Sequence, residues 1–355
     1  MNLCNKIIGL LFIGVISLNS KAQDINFSQF YEMPLLRNPA LAGIIEGNSD
    51  IRLTTAYRNQ WQSVTVPYQT MALDAELRTV FGVDNDNFLT TGLIVTNDQA
   101  GDSKLKKTQV LPVLNYLRQI GGYERSSFLG VAIMGGPVQQ NFDPSKLYFD
   151  DQFVNGSYSA ANPTIETFSN TNFTYTDLSA GISYKSEFAT DIHYYLGVGV
   201  YHIIQPKIAF MKQNGLKLNR KYILNFGLTT PTSDYDEFTI YGDFFNQGGN
   251  NLFQGGFLFS HDFEQGDLEL DERKSITGGV FYRWNDAVVP VVKLKLNQIA
   301  IGVSYDINVS KLTLASKSMG GLEVTVSYKN ILNIRNRDLQ ATRCPSWGGH
   351  MPKVF

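Results

Sequence analysis

The residues that most often carry catalysis or metal binding are few in this chain and lack the spacing that such chemistry needs. None of the four histidines forms an HExxH pair, and His193 and His202, nine positions apart, would project from opposite faces of one predicted strand. A membrane hydrolase needs a serine close to a histidine and an acid in the fold, and the sequence nominates none. Gly197 and Gly199 lie mid-strand and favour steric relief in a curved sheet over phosphate binding. The sequence therefore predicts a non-enzymatic protein without metal or cofactor.

The first 22 residues have the pattern of a secretory signal peptide. Lys6 precedes an apolar run from Ile7 to Leu18, and Ser20-Lys21-Ala22 offers a small-residue cleavage site. A membrane anchor is the weaker alternative because the apolar run is short. Cleavage after Ala22 would leave 28 basic and 32 acidic residues, which gives no case for nucleic-acid binding. It would also leave Cys344 as the single cysteine, so no intrachain disulfide is expected.

Alternation of apolar and polar residues at every second position recurs along almost the whole chain. In IAIGVSYDINVS, residues 299–310, one face of a strand would be apolar and the other small and polar. No apolar run after the leader approaches the about 18 residues of a membrane helix, whereas most of these segments reach the about 9–11 of a membrane strand. Behind an export signal, the pattern predicts an all-β transmembrane antiparallel barrel with closed up-and-down topology. The fourteen predicted strands are 50–58, 67–78, 88–98, 106–118, 127–136, 173–185, 192–203, 221–230, 236–246, 250–263, 273–284, 288–296, 298–309 and 322–330.

These strands divide the chain into a signal peptide (1–22), an N-terminal segment (23–49), a barrel (50–330) and a C-terminal tail (331–355). The N-terminal segment carries many apolar side chains that need burial. We expect residues 24–45 to fold against or into the lower lumen as a plug, with a periplasmic clamp on a partner as the alternative. If the first strand runs outward, the outer loops are longer than the inner turns, as in outer-membrane barrels, and the tail lies on the periplasmic side.

The longest segment without a predicted strand is 137–172, which is rich in Asn, Ser, Asp, Tyr and Phe. Long loops in compact domains are usually functional or disordered, so this one is either a binding loop or a solvated surface loop. The aromatic candidates for binding a protein partner are Tyr148, Phe149, Phe153 and Tyr158. Pro112 and Pro290 fall inside two predicted strands and suggest bulges or local edges, because proline lacks a ladder donor.

Short blocks in both halves of the chain resemble one known family. DINFSQFY (24–31) and NPALAG (38–43) are followed by YRNQW (57–61), GVFYR (279–283), IGVSYD (301–306), GGLEV (320–324) and a Cys-Pro pair. In this order they resemble the PorP/SprF family of the type IX secretion and gliding machinery of Bacteroidota. Leu322 stands where members usually carry histidine, and the chain continues beyond the usual end. The residues that match the family blocks are Asn38, Pro39, Ala40, Gly43, Tyr57, Arg58, Trp61, Tyr282, Arg283, Tyr305, Asp306, Glu323 and Cys344.

The resemblance implies an outer-membrane barrel that anchors secreted cell-surface proteins such as adhesins, or links the secretion machinery to the membrane. Its partners would be lipid, the C-terminal domain of a secreted adhesin and envelope components of the system. Trp61 is expected to anchor the barrel at the membrane interface, where tryptophan is enriched.

A porin-like channel for small solutes is the main alternative, because a barrel of this size is wide enough for a lumen. The predicted lumen residues Tyr195, Tyr201, Phe281 and Arg283 favour occlusion instead. A soluble β-sandwich fits the strand pattern less well.

Overall fold

Fourteen antiparallel strands close into one barrel in the computed structural model. Each barrel strand pairs with the barrel strands before and after it in the chain, and the last returns to pair with the first. The barrel strands are β1 (Ile51–Gln60), β2 (Tyr68–Phe81), β3 (Asn87–Ala100), β4 (Leu105–Gln119), β5 (Ser127–Asn141), β8 (Asn172–Phe188), β9 (Ile192–Tyr201), β10 (Lys221–Pro231), β11 (Asp236–Gln247), β12 (Asn250–Asp262), β13 (Lys274–Arg283), β14 (Ala287–Leu296), β15 (Ile299–Asn308) and β16 (Met319–Asn330).

The structure describes most of the chain between residues 24 and 330. The described residues are 24–45, 49–63, 65–81, 87–121, 127–159, 161–166, 168, 170–188, 192–208, 210, 216–263, 273–311 and 313–330. The predicted signal peptide, the tail and Cys344 lie outside them. In the described part of the chain, no helix is long and apolar enough to cross a membrane.

Alternation along each strand separates an apolar exterior from a polar interior. On β15, Ile301 and Val303 point outward with 45% and 44% of their surfaces exposed, whereas Ser304 and Asp306 are both 2% exposed. The same pattern of exposed aliphatic and aromatic residues covers the outside of the other strands. A chain surrounded by lipid must pair its backbone N–H and C=O groups internally and present apolar side chains outward. A closed sheet with an apolar exterior does both. The predicted fold, a 14-stranded transmembrane barrel, is confirmed.

One part of the sequence prediction is wrong: segment 137–172 is not free of strands. β5 continues to Asn141, and a small hairpin stands within the loop, formed by β6 (Phe153–Val154) and β7 (Ser157–Tyr158). Its turn is Asn155-Gly156, and both residues have positive φ, 55° and 79°. Asn-Gly is the preferred pair for such a two-residue turn. Strands of two residues are too short to show alternation, so the Asn-Gly pair was the only feature of the sequence that could have predicted this hairpin.

The two prolines interrupt pairing without shifting the register. Pairing of β4 with β5 is broken between Gln109 and Val113, and pairing of β14 with β15 is broken between Val288 and Val291. The register is the same on both sides of each break, so the prolines do not form bulges. A register shift occurs instead between Asp306 and Ile307 in the β15–β16 ladder.

Residues 24–45, called the plug segment below, lie inside the barrel. They form two single 3₁₀ turns and one short helix, Pro34–Arg37, and nearly all of their side chains are buried. We call the end of the barrel with Ile51 and Asn330 the terminal end, and the opposite end the loop end. The plug segment begins near the loop end and finishes at the terminal end, so it runs along most of the lumen. It reaches further than the lower lumen that the sequence predicted.

Candidate functional site

Four of the family blocks meet at one place on the inner wall of the barrel. Arg58 on β1, Arg283 on β13, Asp306 on β15 and Glu323 on β16 all point inward and are buried. One Asp306 oxygen, Oδ2, accepts from Arg58 Nη2 at 2.6 Å and from Arg283 Nη2 at 2.7 Å. The Arg58 guanidinium also lies 3.8 Å from the Glu323 carboxylate. We call these four residues the wall cluster.

The wall cluster binds the backbone of the plug segment. Glu323 accepts hydrogen bonds from the N–H groups of Ser28 and Gln29, both at 2.7 Å, one on each carboxylate oxygen. The Ser28 hydroxyl donates to Asp306, and Arg58 donates to the carbonyl of Asn26. Hydrogen bonds to ionised groups are stronger than neutral ones. The cluster therefore holds the backbone of the plug segment at residues 26–29.

The Gln29 side chain occupies a fitted space beside the wall cluster. Its Oε1 accepts from the Thr325 hydroxyl at 2.9 Å, and Gln29 is completely buried. A Cβ on Gly302 would stand 2.2 Å from that same oxygen. Gly302 on β15 therefore leaves the room that the Gln29 amide needs.

The block that begins at Asn38 is held by glycines on the opposite side of the lumen. Asn38 Oδ1 accepts from the N–H of Ala40 at 2.9 Å, which caps the turn begun by Pro39. A Cβ on Gly181 would lie 1.9 Å from that Oδ1, and one on Gly197 would lie 2.9 Å from the Asn38 amide nitrogen. The mid-strand glycines thus relieve contact with the plug segment rather than curvature of the sheet.

Polar side chains from the wall continue this contact beyond Asn38. The Ala40 carbonyl accepts from Ser183 Oγ at 2.7 Å and from Asn115 Nδ2 at 3.2 Å. Gly43 has a φ of 77° and donates its N–H to Glu76 at 2.7 Å. Only glycine adopts this φ without strain, and a Cβ there would also collide with Thr90.

Arg37 anchors the middle of the plug segment to β11. Its guanidinium forms two hydrogen bonds with Asp243, Nε to Oδ2 at 2.9 Å and Nη2 to Oδ1 at 2.7 Å. It also stands over the rings of Phe30, Tyr195 and Tyr241, 5.0–5.6 Å from their centroids. Burial by itself lowers the pKa of Arg37, but the Asp243 carboxylate raises it above the ordinary value. The residue therefore stays charged inside the lumen.

The first described residue of the plug segment is held by an ionic network near the loop end. Asp24 pairs with Lys107 Nζ at 2.9 Å and with Nε2 of His202 at 2.6 Å, while Nδ1 of His202 meets Asp177 at 2.8 Å. Burial alone would lower the pKa of His202, but the two carboxylates raise it to about 9. Burial raises the pKa of Asp24, yet the charges of Lys107 and His202 hold it well below its usual value.

Three tyrosines and the tryptophan of the family blocks lie away from the lumen. Tyr282 and Tyr305 face the membrane with 37% and 40% of their surfaces exposed, and Tyr57 points to the same side. Trp61 follows β1 at the loop end, where its ring packs against Tyr68 at a centroid distance of 4.9 Å. In three of the blocks, alternation thus directs the charged residue inward and the preceding tyrosine outward.

The predicted binding loop has both packed and exposed aromatic residues. Phe149 packs against Phe168, and the ring of Tyr148 packs at a tilt against Tyr158 with 4.5 Å between ring centroids. Tyr148 and Phe153 are 74% and 60% exposed. Phe142 and its neighbours join this loop to the second long connection, 202–220, through rings separated by 4.6–4.9 Å.

Sequence reasoning missed most of the ion pairs that hold the plug segment. Arg37–Asp243, Lys293–Glu32 and the His202 network join residues far apart in the chain. The available signal was the charge on inward positions of strands, because a buried charge needs a partner of opposite sign. The predicted lumen residues Tyr195, Tyr201, Phe281 and Arg283 are confirmed as buried.

The side chains of this arrangement bind the plug segment. Its carboxylates accept backbone N–H groups or face guanidinium groups, and no three metal-ligating side chains come together among the described residues. The site positions and holds a peptide inside the barrel.

Comparison with known proteins gives one family match. The family described as type IX secretion system membrane protein PorP/SprF matches residues 19–328. No curated protein matches the chain. Similar solved structures include the toluene transporter TbuX of Ralstonia pickettii, with 11% identity and a TM-score of 0.48 over 84% of this chain and 92% of that one.

Two further structures are similar at comparable levels. BamA of Haemophilus ducreyi, lacking POTRA domains 1–3, has 8% identity and a TM-score of 0.39 over 79% of this chain and 70% of that one. The translocator domain of the autotransporter NalP of Neisseria meningitidis has 11% identity and a TM-score of 0.39 over 84% and 95%. These values are too low to transfer function from those proteins.

Proposed function

The chain belongs to the PorP/SprF family of type IX secretion system membrane proteins, and we propose that it is a plugged outer-membrane barrel that binds protein partners. The partners would be a secreted cell-surface protein, such as an adhesin, and envelope components of the secretion machinery. In this proposal the barrel anchors its partners at the membrane and does not conduct solutes.

The observation that carries the proposal is the seating of the plug segment. Residues 24–45 form side-chain or backbone hydrogen bonds with eleven of the fourteen barrel strands. Leu35, Asn38 and Ala40 are completely buried at the centre of these contacts. A lumen so filled is unsuited to a porin, whose interior holds water. It supports a plug rather than a periplasmic clamp for residues 23–49.

The proposed binding surface is at the loop end. Tyr148 and Phe153 expose aromatic rings there, beside Val154 and Ile165, which are 47% and 86% exposed. Exposed aromatic residues on a supported scaffold are typical of protein interfaces. Asn172 and Lys221, where the two long connections rejoin the barrel, lie at this same end. The longer loops at this end favour the cell surface, where a secreted protein would be met.

The test is recovery of partners from detergent-solubilised outer membranes of the source cells. Tagged wild-type protein should co-purify with a secreted surface protein or envelope-spanning components identified by mass spectrometry. The double variant Tyr148→Ser/Phe153→Ser should lose most of the surface partner, because it removes the exposed rings while leaving the barrel wall intact.

A matched control keeps this test specific. Ile204→Ser/Leu216→Ser removes two exposed apolar side chains, 51% and 55% exposed, from the other long connection. It should retain the partner. Equal loss with both double variants would argue against this surface, and recovery of no secretion-system component by the wild type would argue against the proposed function.

A further inference from the structure

Two adjacent cavities lie between the plug segment and the inner wall near the loop end, and Lys221 lines both. The outer cavity has polar residues on its lining, Asp24 and Asn250 among them, and encloses about 390 Å³ with open solvent included. The inner cavity lies deeper along the plug segment and encloses about 260 Å³ on the same measure. Asn26 and Phe245 also line both cavities, so the two meet beside Lys221 and together have room for a small molecule.

Lys221, the first residue of β10, is a buried cation whose close contacts are aromatic rings. Only 8% of its surface is exposed, and its Nζ stands 4.7 Å from the ring centroid of Phe245 and 5.7 Å from that of Tyr201. In the described part of the chain it forms no hydrogen bond and no ion pair. Ring faces attract an ammonium, but a buried charge is stabilised fully only by a group of opposite sign. An anion bound here would supply that group.

The two acids whose charges act on Lys221 from a distance, Asp24 and Asp243, are both bound to other cations. Asp24 pairs with Lys107 through one carboxylate oxygen and with His202 through the other. Both oxygens of Asp243 accept from the guanidinium of the plug segment. Neither carboxylate therefore serves as the direct partner of the Lys221 ammonium.

The inner cavity is apolar on the side of the plug segment. Phe27 and Met33 are 2% and 1% exposed, so this space lies within the core of the barrel. Protein interiors are close-packed, and an apolar cavity inside one takes up an apolar group more readily than water. The apolar side chains of the plug segment that line the inner cavity are Ile25, Phe27, Phe30, Met33 and Leu36.

We propose that the two cavities form a binding site for a short-chain carboxylate that enters from the loop end. Its carboxylate would pair with the Lys221 ammonium, and its chain of a few carbons would occupy the inner cavity against Phe27 and Met33. The combination of one buried cation and an adjoining apolar space selects this class over a neutral or a purely inorganic ligand. The ligand is a small molecule, so this binding activity is separate from the proposed binding of protein partners.

Binding can be measured with the purified full-length protein in detergent and butyrate as the probe. Saturation-transfer-difference NMR should show a saturable signal from the butyrate methyl group. Butyramide, which has the same shape without the charge, should bind about tenfold more weakly, because it leaves the Lys221 ammonium without an anion. Acetate should also bind about tenfold more weakly, because it lacks the two methylene groups that the inner cavity would bury.

Three variants assign the binding to the two cavities. Lys221→Met keeps an unbranched side chain without the charge, so it should bind butyrate about tenfold more weakly and no longer prefer it to butyramide. Lys146→Met removes an exposed lysine at the loop end and should leave the affinity within about twofold. Leu36→Phe adds volume to the lining of the inner cavity. It should weaken butyrate binding and leave acetate binding within about twofold.

The proposal fails if butyrate and butyramide bind alike, or if the two lysine variants weaken butyrate binding equally. It also fails if inorganic phosphate displaces butyrate at an equal concentration, because the site would then bind any small anion. A tripeptide with a free carboxyl terminus that binds more tightly than butyrate would overturn it in favour of the chain end of a protein partner.

Discussion

At the scale of single residues, the plug segment is held by charges that would be costly to bury alone. Asp306 faces two guanidinium groups and Asp24 faces a lysine and a histidine, so each buried charge has partners of opposite sign. Removing one member of such a set is more damaging than replacing the whole set, because the others stay buried without compensation.

The substitution Asp306→Asn should destabilise the barrel strongly. It leaves Arg58 and Arg283 buried without their shared carboxylate, which typically costs about 3–5 kcal/mol of unfolding free energy. Urea unfolding in detergent or lipid, followed by tryptophan fluorescence, measures the loss.

Asp286→Asn is the matched control for that measurement. Asp286 also pairs with Arg283, but its side chain is 41% exposed, so the change should cost less than about 1 kcal/mol. Equal effects of the two substitutions would show that Asp306 has no special role in holding the plug segment.

The His202 network should make stability depend on pH. The pKa of His202 is raised from 6.5 to about 9, so its stabilisation is complete below pH 6.5 and is lost as the pH rises through 9. The lowered pKa of Asp24 acts oppositely: its stabilisation is complete above pH 3.8 and is lost on further acidification. Together they predict the tightest attachment of the plug segment between about pH 4 and 6.5.

Comparison of the wild type with His202→Gln measures this dependence. The difference in unfolding free energy should approach about 3 kcal/mol at pH 6 and shrink toward pH 10. His261→Gln removes a histidine whose side chain is 48% exposed and serves as the control. A wild-type advantage that grows with pH would contradict the assigned network.

At the scale of elements, strands β8, β9 and β15 are shaped to receive the plug segment. Their inward positions combine polar side chains, some of which bind it, with glycines, which make room for it. Gly181, Gly197 and Gly302 are the positions at which a Cβ would meet Asn38 or Gln29. Glycine in a strand otherwise weakens it, so these positions serve the contact rather than the sheet.

Gly181→Ala should therefore displace the plug segment. The added Cβ would stand 1.9 Å from Asn38 Oδ1, which forces the capped turn to move. We expect a loss of about 1–3 kcal/mol, seen as a lower temperature for heat unfolding on gel electrophoresis.

Gly278→Ala on β13 is the matched control, because nothing lies within 4 Å of its Cβ position. Asn38→Ala should also reduce the cost of Gly181→Ala in a double-mutant cycle, since the two groups collide directly. If the stability losses of the two substitutions simply add, the contact between Asn38 and the new Cβ is not what destabilises the Gly181→Ala variant.

At the scale of the whole molecule, the barrel and its plug segment form one unit. The barrel supplies a lipid-facing exterior, and the plug segment supplies the core that a soluble domain would build from its own strands. The three clusters of buried apolar residues lie inside the barrel, and two of them include residues of the plug segment.

Removal of residues 24–45 should open the lumen. The wild-type protein in a planar bilayer should show no steady current, whereas the deletion variant, if it folds, should give stable open-pore steps. Deletion of the hairpin loop 153–158 is the control and should leave the barrel closed. Steady current through the wild type would favour the porin-like channel.

If the deletion variant does not fold, a point variant tests the same prediction. Arg37→Ala leaves the barrel chain complete and removes one anchor of the plug segment, so brief current openings are expected. A folded deletion variant that stays closed would contradict the plug.

The amino-acid sequence was sufficient to predict the barrel, its fourteen strands, and the inward and outward faces of strands with clear alternation such as 299–310. It could do so because lipid imposes a period-two pattern on each strand, and that pattern is local. The family blocks that contain Arg58, Arg283, Asp306 and Glu323 could also be recognised, because each block is a short continuous stretch of sequence.

The meeting of these four side chains around Ser28 and Gln29 became visible in the folded barrel. Residues 58 and 323 are neighbours only because the first and last strands close the barrel in one register. The same holds for Asp24 beside His202 and for Asn38 against Gly181. Alternation fixes which face a residue points to, but a short stretch of sequence does not specify which distant residue lies opposite it once the sheet has closed.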